Sequence, residues 1–240
     1  MNPSRLRVLS YNIHSGRGTD RRVDLARIAD VIGACDPDIV ALQEVDVCRA
    51  RSGAIDQPAA LAAQLGMSAC FEMCIEEGGE RYGIATLTRL PLIESRRLAL
   101  PHEPHRKRSE PRCALVTRLA WPGAGIEVDM VNTHLSVLAG ERPAQVAAIA
   151  RELPGREVII AGDFNCTPGA AAFRTLAGGM RSATRGARTF PSWLPLVPLD
   201  HILVRGPLEV VRGGRWTEGP VRRASDHLPV YAELSHGASA

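Results

Sequence analysis

The sequence predicts an α/β fold. Short apolar runs rich in β-branched residues, such as residues 39–42 and 158–161, are typical of strands buried on both faces. Between these runs lie segments whose apolar residues recur at helical spacing, such as residues 23–35. Strand and helix patterns therefore alternate along the chain, as they do in α/β proteins.

The first half predicts strands at residues 6–12, 39–44, 67–76 and 81–89, and helices at 23–35 and 57–65. Asp36-Pro37-Asp38 ends the first helix, because the residue before a proline disfavours the helical conformation. The basic segment 94–111 contains three prolines and is predicted to be a loop flanked by strand ends.

In the second half, residues 112–121 and 126–134 predict an antiparallel pair across a Pro-Gly-Ala-Gly turn. Helices are predicted at 141–153 and 169–176, and strands at 158–161, 199–204 and 208–211. Residues 181–198 predict a long loop, a kind of segment that is often functional. A polar turn feeds the last strand within 224–234, and residues 236–240 predict a frayed tail.

The composition is that of an ordinary globular protein, with 45% hydrophobic and 23% charged residues among 240. We expect one domain over residues 1–240, with its core at about 6–235. The net charge of +3 is small and the basic residues form no continuous face, which disfavours a DNA-bending protein. Aromatic residues, at 4%, are too scarce to favour a stacking platform for single-stranded nucleic acid. Basic clusters at 96–97, 106–108 and 222–223 are either solvated loops or a rim for a polyanion.

The six cysteines match no zinc-binding pattern, and we expect no disulfide framework. Cys70 and Cys74, four apart in a predicted strand, are interpreted as small core residues. The N-terminus lacks an apolar leader, and no apolar stretch is long enough for a membrane span. The expected setting is cytoplasmic, with no stable membrane insertion.

Polar side chains follow most of the predicted strands. Asp163 and Asn165 come after the apolar run 158–161, two positions apart, so that in an extended chain they point the same way. In isolation, Gly-Asp-x-Asn is more typical of a simple turn. The same pattern recurs at other strand ends, namely Asn12 with His14, Glu44, His134, Asp200 with His201, and Asp226 with His227.

Carboxylates and amides with few thiols suit a hard cation such as Mg²⁺ or Mn²⁺. Histidines add acid–base capacity near neutral pH. Together these groups provide what phosphoryl chemistry needs: a metal ion, a base for water, and donors for the phosphate oxygens.

Several motifs resemble, in the same order, those of the endonuclease/exonuclease/phosphatase superfamily, which includes pancreatic-type deoxyribonucleases, apurinic endonucleases, inositol-polyphosphate 5-phosphatases and neutral sphingomyelinases. The motifs are Asn12-Ile, Leu42-Gln-Glu44, Tyr82-Gly83, Asn132-Thr-His134, Gly162-Asp-Phe-Asn165, Leu199-Asp200 and Ser225-Asp-His227. The resemblance covers nearly the whole chain. It implies a four-layer α/β sandwich, in which two mixed β-sheets pack face to face with helices outside.

The resemblance also implies roles for metal-binding residues. Glu44 resembles the principal Mg²⁺ ligand, and Asn12 resembles the neighbour that orients metal or water. Asp226 would face the metal. His14 stands where apurinic endonucleases have an acidic ligand, which puts a second acidic metal position in question.

The catalytic roles follow in the same way. Asp163 and Asn165 resemble the pair that holds the attacking water and a phosphate oxygen. His227 resembles the catalytic histidine, and Asp200 the carboxylate that orients it. His134 resembles a second histidine of the deoxyribonuclease and sphingomyelinase branches, which donates to the phosphate. The sequence around Asp200 lacks the Cys-Asp-Arg signature of the 5-phosphatases.

Some residues have two interpretations. His14 and His201 are either site or scaffold residues, and Tyr82 is either packed or facing substrate. Arg112 either pairs with a nearby acid or contacts phosphate. Cys166 is interpreted as a packing neighbour, because a nucleophilic thiol would need an adjacent base.

The sequence therefore predicts a Mg²⁺-dependent phosphoester hydrolase that uses water activated by the His227–Asp200 pair or by Asp163. The rival hypotheses are a non-catalytic binding module on the same fold and a phosphomonoesterase of small-molecule or lipid substrates. DNA or RNA, a lipid or a small phosphoester all remain open as the substrate, and the sequence does not identify any protein partner.

Overall fold

The computed structural model describes residues 4–153 and 157–237. Its helices are α1 (Leu25–Cys35), α2 (Gln57–Leu65), α3 (Arg142–Glu152), α4 (Ala171–Ala177) and α5 (Val221–Ala224). Its strands are β1 (Arg5–Asn12), β2 (Ile39–Val47), β3 (Ser68–Glu77), β4 (Glu80–Thr88), β5 (Leu92–Leu100), β6 (Arg112–Trp121), β7 (Ile126–His134), β8 (Val158–Asp163), β9 (Arg181–Ser182), β10 (Asp200–Arg205), β11 (Leu208–Arg215) and β12 (Val230–His236).

The strands form two six-stranded mixed sheets. The first, which we call the N-sheet, has the order β11-β12-β1-β2-β4-β3, and the second, the C-sheet, has the order β5-β6-β7-β8-β10-β9. In each sheet one central pair is parallel, β1 with β2 and β7 with β8. Parallel neighbours need a crossover connection, which α1 and α3 supply.

The sheets pack face to face because successive apolar residues of each central strand point alternately to the opposite sheet and to the outer helices. Val8 and Ile159 belong to a core between the sheets. Leu9 packs outward with residues of α1 and α2, and Ile160 packs outward with residues of α3 and α4. Burial on both faces explains the continuous apolar runs in the sequence. The predicted four-layer α/β sandwich is thus confirmed.

The helix boundaries follow from local chemistry. Asp24 caps α1 by accepting a hydrogen bond from the backbone N–H of Arg27, and Asp56 caps α2 in the same way through Ala59. Gly66 ends α2 in the left-handed conformation that glycine adopts without strain.

Two predicted segments differ from the structure. The first part of segment 94–111, predicted as a loop, forms most of the edge strand β5; only the residues after Leu100 lack regular structure. Most of β5 is exposed, so the sequence carries no apolar alternation there. The strand predicted at 208–211 continues to Arg215, and the short helix α5 was not predicted.

The predicted frayed tail falls partly on residues 238–240, which lie outside the described residues, and His236 itself closes β12. Cys70 and Cys74, predicted as core residues, are half-buried and pack against a small cluster that includes Cys113. In the described parts of the chain, no helix combines the length and apolar character of a membrane span.

Candidate active site

On several strands, the polar residue at the end lies on the same face as the apolar residues that form the core between the sheets. Asn12, His134, Asp163 and Asp200 occupy inward-facing positions on β1, β7, β8 and β10, and all four are buried. Across the C-sheet, Asp163 pairs in register with His134 on one side and with Asp200 on the other. The candidate site is therefore the polar end of the core between the two sheets.

Gly162 allows the strands to approach closely at this point. A Cβ atom on Gly162 would lie 1.8 Å from the carbonyl oxygen of Thr133, and its φ of +155° is unfavourable for other residues. Any side chain here would push β8 away from β7. This close approach keeps Asp163 beside His134.

A β-bulge directs Glu44 into the site. Strict alternation along β2 would place Glu44 on the opposite face to Gln43. The pairing of β2 with β4 shifts register between Leu42 and Val45, and Glu44 adopts a positive φ of 56°. Its carboxylate oxygen Oε1 accepts a hydrogen bond of 3.0 Å from Nδ2 of Asn12. Local strain thus brings Glu44 next to the inward-facing residues.

Asn12 links the carboxylates of the two sheets. Its Nδ2 donates to Glu44 and also to Oδ2 of Asp163, at 3.1 Å. Its Oδ1 accepts from the backbone N–H of His14. Ser225 fixes the adjacent backbone by donating from its hydroxyl to the carbonyl of Asn12 at 2.8 Å. Asn12 therefore orients both acids.

His227 lies between two buried carboxylates. Its Nδ1 donates to Oδ2 of Asp200 at 2.9 Å, and its Nε2 lies 3.8 Å from Oδ2 of Asp163. Burial by itself lowers the pKa of His227, but the carboxylates of Asp200 and Asp163 outweigh it and raise this pKa to about 10. The Phe190 ring packs on the imidazole at a centroid distance of 4.9 Å. The predicted long loop thus contributes directly to the site.

Asp163 is the acid most affected by burial. Desolvation raises its pKa to about 7, assisted by the nearby Asp200 carboxylate and opposed by His227. Oδ1 of Asp163 accepts from the backbone N–H of Asn165 at 2.9 Å. The carboxylate is therefore rigidly held and costly to ionise without a nearby positive charge.

His134 is neutral, and Arg112 fixes its tautomer. Burial lowers the pKa of His134 far below its usual range, and the charges of Arg112 and His227 lower it further. Nη1 of Arg112 lies 2.9 Å from Nδ1 of His134. A guanidinium can only donate, so Nδ1 accepts and the ring proton is on Nε2. This nitrogen lies 3.5 Å from Oδ2 of Asp163, which makes His134 a hydrogen-bond donor toward the site.

Asn165 follows Asp163 in a tight turn, with a positive φ of 49°. Its Nδ2 donates to the carbonyl of Leu135. The 3.1 Å between this Nδ2 and Nε2 of His134 joins two N–H groups when Arg112 donates to Nδ1, so it is a packing contact and not a hydrogen bond. Arg142 donates to the Asn165 backbone carbonyl. The amide and imidazole nitrogens thus lie together at the end of β7.

A cavity of about 660 Å³ opens beside these residues, with Glu44, His14, Tyr82 and Arg112 in its lining. Tyr82 is 8% exposed, and burial, followed by the Glu44 carboxylate, raises its pKa so that the phenol stays protonated. The structure supports the packed interpretation of Tyr82 and the paired interpretation of Arg112, whereas their contacts with substrate and phosphate stay predictions. Tyr82 is packed and lines the cavity, and Arg112 pairs with Glu110 at 3.1 Å while it also contacts His134.

The remaining candidate histidines, His14 and His201, have different surroundings. Nδ1 of His14 is 3.5 Å from Oδ1 of Asp226, and both side chains are half-buried. His201 is buried between Phe164 and Phe173, and its Nε2 donates to the Cys166 carbonyl. His201 is therefore a scaffold residue.

Cys166 packs in the same region of the core. Burial raises the pKa of its thiol, so the thiol stays protonated and is a poor nucleophile.

Gln43 and Asn132 belong to the sequence motifs, but their role was not predicted. Nε2 of Gln43 donates to Oδ1 of Asn132 at 2.9 Å, and Nδ2 of Asn132 donates to the carbonyls of Leu42 and Ala85. Both side chains are fully buried. They join the two sheets directly beneath the site. Two buried amides at inward-facing strand positions are the signal that could have revealed this bridge.

The donor set fits a hard cation. Oδ1 of Asp200 is buried and has no hydrogen-bond partner among the described residues. Asp163, Asp200 and His227 place possible ligand atoms within 4.8 Å of one another. Glu44 and Asp226 add oxygen ligands that are partly open to solvent. Buried, mutually repelling carboxylates are stabilised by a divalent cation, and oxygen donors favour Mg²⁺ or Mn²⁺.

Comparison with known proteins agrees with this geometry. The uncharacterized protein YbhP of Escherichia coli K12 is 30% identical over 95% of this chain and 95% of its own. An endonuclease/exonuclease/phosphatase from Beutenbergia cavernae has a similar structure, with a TM-score of 0.79 and 24% identity over 97% of this chain and 72% of that chain. The mannosyl-6-phosphatase Bt3783 of Bacteroides thetaiotaomicron has a TM-score of 0.77 and 20% identity, over 95% and 99%. Residues 9–227 match the Endonuclease/Exonuclease/phosphatase family, and the chain belongs to that family.

Proposed function

We propose that this protein is a phosphoester hydrolase that uses a bound Mg²⁺ or Mn²⁺ and a water nucleophile. The observation that carries the proposal is the buried array of Asp163, His227 and Asp200, which lies beside Glu44 and His134 at one end of the inter-sheet core. Members of the family are generally hydrolases of phosphoesters. A binding module that had lost the chemistry would have no need for so many costly buried charges.

Glu44 is proposed to hold the cation, with Asp226 as a further carboxylate and Asn12 as the residue that orients Glu44. When bound, a divalent cation neutralises charge on the phosphate. The bulge at Glu44 supports this role, because a strained conformation is maintained where the side chain must point in one direction.

Asp163 and His227 are proposed to handle protons. A water molecule beside Asp163 would lose its proton to the Asp163 carboxylate, and His227, whose raised pKa keeps the imidazole protonated, would donate the proton that the leaving oxygen needs. The hydrogen bond from Nδ1 to Asp200 keeps Nε2 of His227 directed at Asp163. Asp200 is therefore a positioning residue in this proposal.

His134, Asn165 and Arg112 are proposed to hold the phosphate oxygens. Nε2 of His134 carries the ring proton because Arg112 donates to Nδ1. Arg112 is itself buried, and its positive charge lies directly against His134. Donors fixed before substrate arrives stabilise charge that develops during the reaction.

The test is hydrolysis of bis-p-nitrophenyl phosphate and p-nitrophenyl phosphate with Mg²⁺, with Mn²⁺ and with EDTA. We expect turnover with metal and its loss in EDTA. Equal rates in both conditions, or no hydrolysis in a panel of nucleic acid, phospholipid, nucleotide and sugar phosphate, would contradict the proposal. A ratio of diester to monoester rates separates phosphodiesterase from phosphomonoesterase activity.

The second candidate, a phosphomonoesterase of small molecules, is favoured by the size of the cavity. About 660 Å³ matches the pockets that bind compact ligands. The similar structure from Bacteroides thetaiotaomicron is a mannosyl-6-phosphatase. Sugar phosphates therefore belong in the panel.

A further inference from the structure

The cavity beside the site has an unusual concentration of arginine. Its lining contains five arginines and three glutamates, and one of the glutamates is the candidate metal ligand Glu44. The arginines are Arg17, Arg49, Arg51, Arg108 and Arg112. A concave surface with an excess of one charge concentrates ligands of the opposite charge. The lining therefore favours the binding of an anion.

The buried carboxylate of Asp46 holds the guanidinium of Arg51 in place. Its Nε and Nη2 donate to the two carboxylate oxygens of Asp46 at 2.8 and 2.7 Å, and Asp46 is fully buried. Nη2 also donates to the hydroxyl of Ser15 at 3.1 Å. Nη1 has no hydrogen-bond partner among the residues that the structure describes. A bidentate pair with a buried acid orients the guanidinium without using all its donors.

Arg49 and Arg51 both lie over the aromatic ring of Tyr82. The guanidinium carbon of Arg51 is 5.2 Å from the centre of the Tyr82 ring, and that of Arg49 is 6.0 Å from it. Nε of Arg49 is 3.5 Å from Oε2 of Glu80, so the two groups form an ion pair but no short hydrogen bond. Both Nη atoms of Arg49 lack a hydrogen-bond partner within the described ranges. Arg49 and Arg51 thus present unused donors from one ordered platform.

Two further arginines complete the rim. Within residues 4–153 and 157–237, neither Arg17 nor Arg108 has an ion pair, and both are exposed. In contrast, Arg112 is already engaged by Glu110 and His134. The arginines therefore divide into Arg112, next to the proposed catalytic groups, and a separate group with spare donors.

We propose that Arg49 and Arg51, on Tyr82, bind a second anionic group of a compact substrate, a phosphate other than the one that is hydrolysed. The inference rests on the proposed function in placing the scissile phosphate near Glu44 and His134. It goes beyond that function because it assigns a substrate class, a small phosphoester that carries a second phosphate. Arginine suits this role since its planar fork matches phosphate oxygens.

The test uses non-hydrolysable ligands, so that its outcome does not depend on turnover. Alkane bisphosphonates with linkers of increasing length are compared with the corresponding alkylphosphonates by isothermal titration calorimetry, with Mg²⁺ in excess. We expect at least one bisphosphonate to bind wild type about 10-fold or more tightly than its monophosphonate. Equal affinities at every linker length would overturn the inference, whether or not the protein proves to be a hydrolase.

Arg49→Ala is the decisive variant. We expect it to weaken the preferred bisphosphonate about 10- to 100-fold and to change the monophosphonate little. Arg96→Ala is the matched control, because Arg96 also pairs with one glutamate, Glu152 at 3.3 Å, but lies away from the cavity. Arg49→Ala weakening both ligands alike, or Arg96→Ala matching its effect, would refute the assignment.

Arg49→Gln keeps most of the side chain and replaces Arg49→Ala if the latter does not fold. The same loss for the bisphosphonate is then expected. Arg108→Ala tests the opposite rim, since Arg108 is exposed and its replacement leaves no buried acid unpaired. If Arg108→Ala abolishes the bisphosphonate preference while Arg49→Gln retains it, the second anion binds elsewhere and the proposal fails.

Discussion

The two sheets have the same strand-pairing pattern but carry different chemistry at their polar ends. In each, a hairpin pairs with a central parallel pair, which is followed by two antiparallel strands. In this pattern β2 corresponds to β8, so that Glu44, at the bulge within β2, is the counterpart of Asp163 at the end of β8. Glu44 is half-buried beside an arginine-lined cavity, whereas Asp163 is almost inaccessible.

This difference in solvent access separates two tasks. On the C-sheet, burial raises the pKa of Asp163 and lowers that of His134, and both shifts suit the proton handling and hydrogen-bond donation that we propose for these residues. On the N-sheet, partial exposure of Glu44 leaves it accessible to a cation and to substrate. Five predictions test whether the division holds, beginning with the largest expected effect.

Removal of His227 should have the largest effect on activity. We expect His227→Ala to lower kcat by roughly 10²–10⁴ while the fold is retained, because a proton-transfer group is lost. The control is His236→Ala, whose histidine lies at the end of β12 near Glu157. Near wild-type kcat in His227→Ala would exclude His227 from the mechanism.

A change on the N-sheet should alter metal affinity instead. Glu44→Gln keeps the shape and loses the charge that a hard cation needs. We expect the Mg²⁺ concentration at half-maximal activity to rise about 10- to 100-fold. Glu77→Gln, in the same cavity lining, serves as the control. An unchanged midpoint for Glu44→Gln would remove Glu44 from the ligand set.

The pH dependence of stability should report the buried charge on His227. Its folded-state pKa of about 10 exceeds the ordinary 6.5, so its contribution to stability is fully present below pH 6.5 and is lost as the pH rises to 10. The free energy of unfolding should fall by up to about 1.4 kcal/mol per pH unit in this window. In EDTA, chemical denaturation of His227→Asn should show a flatter profile; identical profiles would contradict the buried cation.

The bridge between the sheets should matter for stability more than for chemistry. Asn132→Leu removes three buried hydrogen bonds and should cost about 2–4 kcal/mol. Thr117→Val is the control, because among the described residues the hydroxyl of Thr117 makes a single long hydrogen bond, to the carbonyl of Met130 in the same sheet at 3.4 Å. Urea denaturation measures both. Similar losses in the two variants would mean that the bridge has no special role.

The smallest effect is expected in the basic segment after β5. Of Arg106, Lys107 and Arg108, only Arg108 lines the cavity. If the substrate is nucleic acid, replacing all three by Ala should raise KM for plasmid DNA and flatten the log–log salt slope of binding by about one for each phosphate that is no longer neutralised. Small phosphodiesters should be little affected. An equal response to DNA and small substrates would show that this segment is structural or merely solvated.

Much of the fold could be predicted because its signals are local. The apolar run 158–161 is buried on both faces and predicts a strand in any context. The helix α2 lies where predicted because Asp56 and Gly66 mark its two ends. The edge strand β5 was missed since an exposed strand has no apolar alternation to detect.

The sequence by itself determined which polar residues adjoin the apolar runs of the strands, because side-chain alternation is encoded locally. Only the tertiary structure decided how they act. A bulge turns Glu44 inward, and Arg112 fixes the tautomer of His134 from a neighbouring strand. Hydrogen bonds, desolvation and ion pairs between segments far apart in the chain depend on distances of a few ångströms, and no local pattern specifies those distances.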